Sequence, residues 1–187
     1  MLELGTFGSV RGVSGNGHPY RNQWLSTHNT LGRITTMATI VDEINQAVAR
    51  LHLNSSSMRL LLPPQSEAVF RTALNHFVAG GDRRWWWEDF REPGKSLAFE
   101  SGDGWRQVPR VVPNQNESVW FIAEDNSLPH YPVFETTPEV ASLVIGECHG
   151  FEYYLVAKDL SWLLCETHHN VLCAVGAVVE ARLQNAA

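Results

Sequence analysis

The residues best suited to chemistry lie in one short segment near the end of the chain, LCETHHN at 164–170. This segment holds a thiol, a carboxylate and two adjacent imidazoles, and ECH at 147–149 repeats the same residue types upstream. Thiolates and imidazoles are ligands that zinc prefers, and four of them complete a structural site. A candidate zinc site therefore takes one pair of ligands from each segment: Cys148, His149, Cys165 and His168.

The spacing of these ligands weakens the zinc interpretation. On a strand, Cys165 and His168 point to opposite faces, so both reach one ion only if the strand ends or bulges between them. Neither segment has the C-x-x-C or H-E-x-x-H spacing that identifies zinc sites. We favour the competing interpretation, in which Cys165 is a buried core residue, His168 and His169 bond to loop backbone, and no cofactor is bound.

Glu166 and His168 form a candidate catalytic pair, because residues two apart on a strand share a face. A carboxylate so placed can orient an imidazole for general acid–base chemistry, and His169 is a further candidate beside them. Cys165 is a weaker candidate nucleophile, since its side chain leaves the opposite face. The sequence contains no phosphate-binding loop, dinucleotide fingerprint or nucleophile elbow. It therefore favours a protein that is not an enzyme.

An α+β domain is expected to position these segments. Apolar runs at 151–158 and 162–168, joined by a short polar turn, predict a hairpin that carries the thiol and the imidazoles. Thr137 and Pro138 are typical of the start of a helix, and Ser66 is the expected N-cap of an earlier one. Strands cluster toward the C-terminus instead of alternating with helices, which predicts a mostly antiparallel sheet flanked by helices. Further strands are predicted at 59–62, 97–100, 119–124, 131–135 and 171–175, and helices near 40–51 and 177–183.

The chain divides into two unequal parts near Met37. Residues 1–36 are rich in Gly, Ser, Thr and Asn and show no sustained period of a helix or a strand. We expect them to be a disordered leader, or to precede the true start of the protein at Met37; the alternative is an extension that packs on the domain. Residues 37–187 have no internal repeat and no linker, which predicts a single domain.

Composition restricts the partners and the compartment. The formal net charge is −6 without a block of like charges, which argues against nucleic acid and anionic membranes as partners. The three cysteines are odd in number and lie close together in the chain, which favours a reducing, cytoplasmic environment over a disulfide framework. The sequence shows neither a signal peptide nor an apolar run of the roughly 18 residues that span a bilayer.

The aromatic residues are the best candidates for a partner contact. Seven tryptophans are many for 187 residues, and three are consecutive in RRWWWEDF at 83–90. Acidic residues follow at once, so we expect alternate tryptophans to enter the core and the arginines to pair with carboxylates, not with nucleic acid. Trp and Tyr are enriched in binding hot spots, although each also fills cores. The candidate contacts are Trp87, Trp105, Tyr131 and Tyr154.

Four segments carry a resemblance: WWWEDF at 85–90, VWFIAED at 119–125, FEYYLV at 151–156 and WLLCETHHNVL at 162–172. They resemble an uncharacterised family of small bacterial proteins of unknown function, and WLLCE-x-HH is the most specific part. The resemblance implies a bacterial, cytosolic, single-domain protein, and the family has no assigned activity that could be transferred to this chain. In size, charge and class the chain is also loosely similar to bacterial toxin-immunity proteins, without the motif of any one immunity superfamily.

The sequence therefore predicts a non-enzymatic bacterial binding protein with a protein partner, of the toxin-immunity type. The alternative is a metal-dependent or His/Glu-dependent enzyme that uses the segment 165–169. A purely structural subunit is the third hypothesis.

Overall fold

The computed structural model describes residues 39–82, 84–128 and 130–186. The expectations for residues 1–36 and for a start at Met37 lie outside these residues. The strands are β1 Arg59–Leu60, β2 Lys95–Ala98, β3 Val119–Ala123, β4 Val133–Thr136, β5 Tyr153–Ala157, β6 Leu163–Glu166 and β7 Val171–Val175. The α-helices are α1 Ile40–Arg50, α2 Gln65–Phe77, α3 Val108–Val111, α4 Pro138–Glu147 and α5 Ala177–Gln184. Short 3₁₀ helices lie at Ser55–Met58, Trp86–Glu88 and Gly104–Gln107.

Within the described residues, the seven strands form one sheet in the order β1-β4-β3-β5-β6-β7-β2. Every neighbouring pair of strands is antiparallel. The predicted class, α+β with a mostly antiparallel sheet flanked by helices, is confirmed, and so are the hairpin of β5 and β6 and the strand β7.

Side chains of the sheet alternate between two faces, and helices cover both of them. On β5, Tyr153 and Leu155 face a first core together with residues of α1, α3, α4 and α5. Tyr154 and Val156 face a second core, which α2 and the 3₁₀ helix Trp86–Glu88 complete. All five residues of β5 are buried. This burial explains why the sequence there is continuously apolar instead of alternating.

Among the α-helices, α1 and α4 begin with a threonine whose side chain caps the helix, and the other three begin without a side-chain cap. Thr137 accepts a hydrogen bond from the backbone N–H of Val140 at 3.3 Å, and Pro138 takes the first helical position, as predicted. The predicted cap Ser66 is wrong, because the N-cap of α2 is Pro64 and Ser66 lies in the first turn. The two consecutive prolines before α2 fix the chain at its start, so that no side-chain cap is formed there.

One end of the sheet gathers the segments that carry the candidate residues. Tyr153 and Glu166 are register partners at that end, so the residues beyond them on each strand leave the sheet together. The backbone N–H of Glu124, after β3, donates to the carbonyl of Glu152, before β5, at 2.8 Å. The turn 167–170 joins β6 to β7 at the same end, where Asn170 adopts a left-handed conformation with φ 57°.

We predict that Gly94→Ala destabilises the protein, because Gly94 lies against β7 where β2 begins. A Cβ atom there would lie 2.3 Å from the carbonyl oxygen of Ala174, so backbone must move. The expected loss is about 1–3 kcal/mol of unfolding free energy, measured by urea denaturation. The matched control is Gly150→Ala, whose Cβ meets no atom within 4 Å. Equal losses in the two variants would contradict the prediction.

Candidate functional site

Two tryptophans and two histidines form a continuous group of rings at this end of the sheet. The ring centroids of Trp85 and Trp87 are 6.1 Å apart, and His168 lies 4.9 Å from Trp85 and 5.7 Å from Trp87. His169 extends the group, 4.0 Å from His168 and 6.0 Å from Trp87. His169 is exposed and the other three side chains are half-buried. We refer to these four residues as the aromatic surface.

Trp86 holds the first half of the aromatic surface in place. Its ring is buried, stacks on Tyr154 at 4.6 Å and meets Phe70 edge-on at 5.4 Å. Its backbone N–H donates to the hydroxyl of Tyr154 at 3.0 Å. With Trp86 directed inward, Trp85 and Trp87 are left at the surface on either side of it. The expectation that alternate tryptophans enter the core is therefore confirmed.

The buried side chain of Glu152 holds Trp87 and His168 of the aromatic surface in place. Glu152 is 4% exposed and accepts hydrogen bonds from Trp87 Nε1 at 3.2 Å and from the backbone N–H of His168 at 3.0 Å. One of its oxygens also pairs with His168 Nδ1. Burial raises the pKa of Glu152 to about 7, and burial lowers the pKa of His168, with His169 adding to the effect. Both shifts disfavour the charged form of the group. Burial therefore favours a hydrogen bond between neutral Glu152 and neutral His168 over an ion pair.

Arg84 borders the aromatic surface on the side of Trp85. Its Nε donates to Glu124 at 2.8 Å, and its guanidinium lies 5.2 Å from the centroid of the Trp85 ring. The backbone carbonyl of Arg84 accepts a hydrogen bond from the hydroxyl of Tyr131 at 2.8 Å. The expected pairing of an arginine with a nearby carboxylate is confirmed for Arg84. Arg83 lies outside the described residues.

Glu166 does not pair with His168, which corrects the predicted catalytic pair. It faces the first core, where it accepts from the hydroxyl of Tyr153 at 3.0 Å and from the backbone N–H groups of Gly104 and Trp105. The alternation assumed for the pair fails because β6 ends at Glu166 and the chain turns at the next residue. His168 therefore lies on the opposite face, and Glu166 fixes the 3₁₀ helix that follows residue 103.

The four candidate zinc ligands are not brought together. His149 contacts Glu43 at the end of α4, with Nδ1 2.6 Å from the carboxylate, and Cys148 precedes it. Cys165 lies in the second core, opposite Cys173 across β6 and β7, and burial raises the pKa of its thiol. Across the described ranges 39–82, 84–128 and 130–186, no three His, Cys, Asp or Glu residues form a group that could hold a metal ion.

The predicted partner contacts fall in three different places. Trp87 and Tyr131 lie at or beside the aromatic surface, and both are half-buried. Trp105 is half-buried on the other face of the sheet, so close to Gly146 that a Cβ there would lie 2.5 Å from the indole. Tyr154 is wrong as a surface contact: it is fully buried, and its hydroxyl is bonded to the backbone of Trp86.

Sequence reasoning missed Glu152 and Trp85. The available signal for Glu152 is an acidic residue placed directly before a continuous apolar run, where a side chain that points inward is buried with the strand. For Trp85 the signal is its place beside Arg84, because an arginine often stacks on a neighbouring ring.

A hollow of about 250 Å³ adjoins the aromatic surface. It is lined by residues 87–93 and includes the exposed carboxylates of Glu88 and Glu92. A larger hollow of about 390 Å³ lies between α3 and the end of α5, lined in part by Arg110 and Arg182. Arg182 bonds the backbone carbonyl of Val112, and both arginines lie in the last turn of a helix, where the macrodipole favours a cation. The position of the two arginines at helix C-termini therefore explains why basic residues line the larger hollow, without a bound ligand.

The fold and this site define an α+β protein whose aromatic surface is held by a buried carboxylate. The chain belongs to a family of unknown function (DUF6756), which it matches over residues 36–187. The predicted membership of an uncharacterised family is confirmed, and the similarity to immunity proteins stays a prediction. Comparison with curated proteins gives no significant match, and comparison with solved structures gives none. None of the helices in the described part of the chain is long and apolar enough to cross a bilayer.

We predict that Glu166 makes stability depend on pH. Burial raises its pKa from the ordinary 4.5 to about 7, so the folded protein keeps a proton that the unfolded chain releases. This contribution is present below pH 4.5 and is lost as pH rises through about 7. Between pH 5 and 7, the wild-type free energy of unfolding, measured by urea denaturation, should fall with rising pH. Its decrease should exceed that of Glu166→Gln by up to about 1.4 kcal/mol per pH unit.

The control for this prediction is Glu67→Gln, at an exposed position in the first turn of α2. It should keep the wild-type slope. A Glu166→Gln protein whose unfolding free energy varies with pH as in the wild type would refute the assignment.

Proposed function

We propose that the chain is a non-enzymatic binding protein of the bacterial cytoplasm, which contacts a protein partner through the aromatic surface. The proposed partner is a toxin that the chain neutralises. The observation that carries the proposal is the attachment of Trp87 and His168 to one buried carboxylate, Glu152, beneath a partly exposed group of rings.

The attachment matters because binding must restrict side chains that are mobile in the free protein. Each rotamer-rich side chain immobilised at an interface costs about 0.5–1.5 kcal/mol. The rings of Trp85 and Trp87 are already fixed by neighbours in the free chain, so little of this cost remains. Large, rigid aromatic side chains are also the residues that dominate measured hot spots. The aromatic surface therefore has the composition and the pre-organisation of a binding site.

The other reactive groups of the chain serve structural contacts. Glu166 accepts three hydrogen bonds inside the protein, and Cys165 is buried as a thiol between β5 and β7. His149 is exposed and contacts Glu43 of α1. The odd number of cysteines and their position in the last quarter of the chain support a reducing compartment.

One observation favours a second candidate, a His/Glu-dependent enzyme. A buried carboxylate that pairs with the Nδ1 atom of an imidazole orients the ring for general acid–base catalysis, and Glu152 and His168 have this relation. In this alternative, His168 is the acid or base and Glu152 is its positioning residue. Turnover of a chromogenic ester or phosphate that is lost in both His168→Asn and Glu152→Gln, and kept in Trp85→Leu, would favour it.

We predict that Trp87→Ser and His169→Ala weaken partner binding. The tagged full chain is used to capture candidates from a lysate of the host, and each candidate is then purified and titrated by calorimetry. A partner should bind in a 1:1 ratio, and each substitution should raise Kd about tenfold or more, the effect of a hot-spot residue. Circular dichroism verifies that each variant is folded.

The matched control is Leu143→Ser, which removes an exposed apolar side chain from α4 on the other side of the sheet. It should leave Kd unchanged. The proposal is wrong if no candidate binds in a 1:1 ratio, or if the control weakens binding as much as Trp87→Ser does.

A further inference from the structure

We infer that the aromatic surface recognises an arginine side chain of the partner, and that Arg84 shows within the chain how such a side chain is held. The inference rests on the proposed function and specifies the chemistry of the partner. It follows from the way the guanidinium of Arg84 is bound, from the neighbouring ring of Trp87 and from the acidic residues that line the hollow beside that ring.

The protein already binds one guanidinium at this surface. The charged group of Arg84 lies 5.2 Å from the centroid of the Trp85 ring, and its Nε donates to Glu124 at 2.8 Å. A ring face and a carboxylate are the two elements that bind a guanidinium in proteins, through cation–π attraction and a charge-assisted hydrogen bond. Arg84 therefore shows that the geometry at this end of the sheet accommodates a guanidinium.

The neighbouring ring of the aromatic surface is Trp87, and no guanidinium of the described residues lies over it. Among the described residues, the guanidinium groups that lie over a tryptophan are those of Arg84 on Trp85 and Arg106 on Trp105. The hollow of about 250 Å³ lies beside Trp87, and its walls carry the carboxylates of Glu88 and Glu92. A hollow of this volume has room for one long side chain.

The basic residue that also lines the hollow is already engaged. The Nε of Arg91 donates to the backbone carbonyl of Asn75 at 3.0 Å, which draws its guanidinium toward α2. Neither Glu88 nor Glu92 forms an ion pair with any cation of the described residues. Glu88 and Glu92, two exposed acidic residues that line the hollow together with Trp87, are thus available to an incoming cation.

The charge of the whole chain acts in the same direction. A net charge of −6 steers a basic partner toward the protein before contact is made. Arginine is favoured over lysine, because its planar group both stacks on a ring and bonds to carboxylates in a fork, whereas an ammonium acts as a point charge. The expected partner is accordingly a protein that presents an arginine from a basic segment.

The test uses the full chain labelled with ¹⁵N and three capped peptides, Gly-Arg-Gly-Arg-Gly and its lysine and glutamine counterparts. The arginine peptide should shift the indole N–H resonance of Trp87, with a Kd at least threefold lower than that of the lysine peptide. The glutamine peptide should cause no shift. Trp87→Leu and the double variant Glu88→Gln/Glu92→Gln should each raise Kd fivefold or more, as followed by the backbone amide resonances of residues 88–92, which all the variants retain.

Two controls match these changes in kind. Trp105→Leu removes another half-buried tryptophan that carries an arginine, on the other face of the sheet, and Glu67→Gln removes a distant exposed carboxylate. Both should leave the peptide affinity unchanged. Equal affinity for the three peptides, or equal losses in the controls and in the site variants, would overturn the inference.

The failure of this inference can be distinguished from failure of the proposed function. If the captured partner depends on Trp87 but its affinity survives replacement of each of its interface arginines by alanine, the arginine assignment is wrong and the binding function stands. If the affinity of the partner does not change in Trp87→Ser, both are wrong.

Discussion

The hydrogen bonds to Glu152 are the interaction on which the aromatic surface depends. A buried polar group that lacks a hydrogen-bond partner costs about 1–3 kcal/mol, so both oxygens of Glu152 require donors. Glu152 meets the donors of Trp87 and His168, which come from sequence segments about 80 residues apart. Removal of either donor would leave an oxygen of Glu152 without a hydrogen-bond partner. The hydrogen bonds that offset the burial of Glu152 therefore also fix the positions of Trp87 and His168.

A second buried carboxylate does the same on the opposite face. Glu166 ends β6 and is the register partner of Tyr153, and Glu152 directly precedes Tyr153. The two acids therefore lie at the same end of two adjacent strands and point to opposite sides. Glu166 holds the backbone of Gly104 and Trp105, and Glu152 holds the segment around Trp87. Each carboxylate therefore attaches one irregular segment to the end of the sheet, where the ladder of backbone hydrogen bonds has stopped.

The sequence predicted the elements better than it predicted the site. Continuous apolar runs and turn residues located β5, β6 and β7, because burial on both faces demands them. The site depends on the point where β6 ends. Two more residues of strand would have placed His168 on the same face as Glu166, as the alternation implied. That end is set by the turn at 167–170 and by pairing with β7, which are tertiary features. Similarly, Tyr154 could be assigned to core or surface only from its neighbour Trp86, whose position comes from a distant segment.

The register between β5 and β6 explains why this site could not be read from local spacing. Because Tyr153 pairs with Glu166, the residue before Tyr153 meets the turn that follows Glu166, and Glu152 thus reaches the backbone and ring of His168. A slip of one residue would exchange the two faces of the sheet and place Phe151 or Tyr153 at that position. Such a slip would separate the hydroxyl of Tyr153 from Glu166 and the hydroxyl of Tyr154 from the backbone of Trp86. The packing of the two cores therefore determines which carboxylate meets which imidazole, and the aromatic surface is a consequence of sheet register.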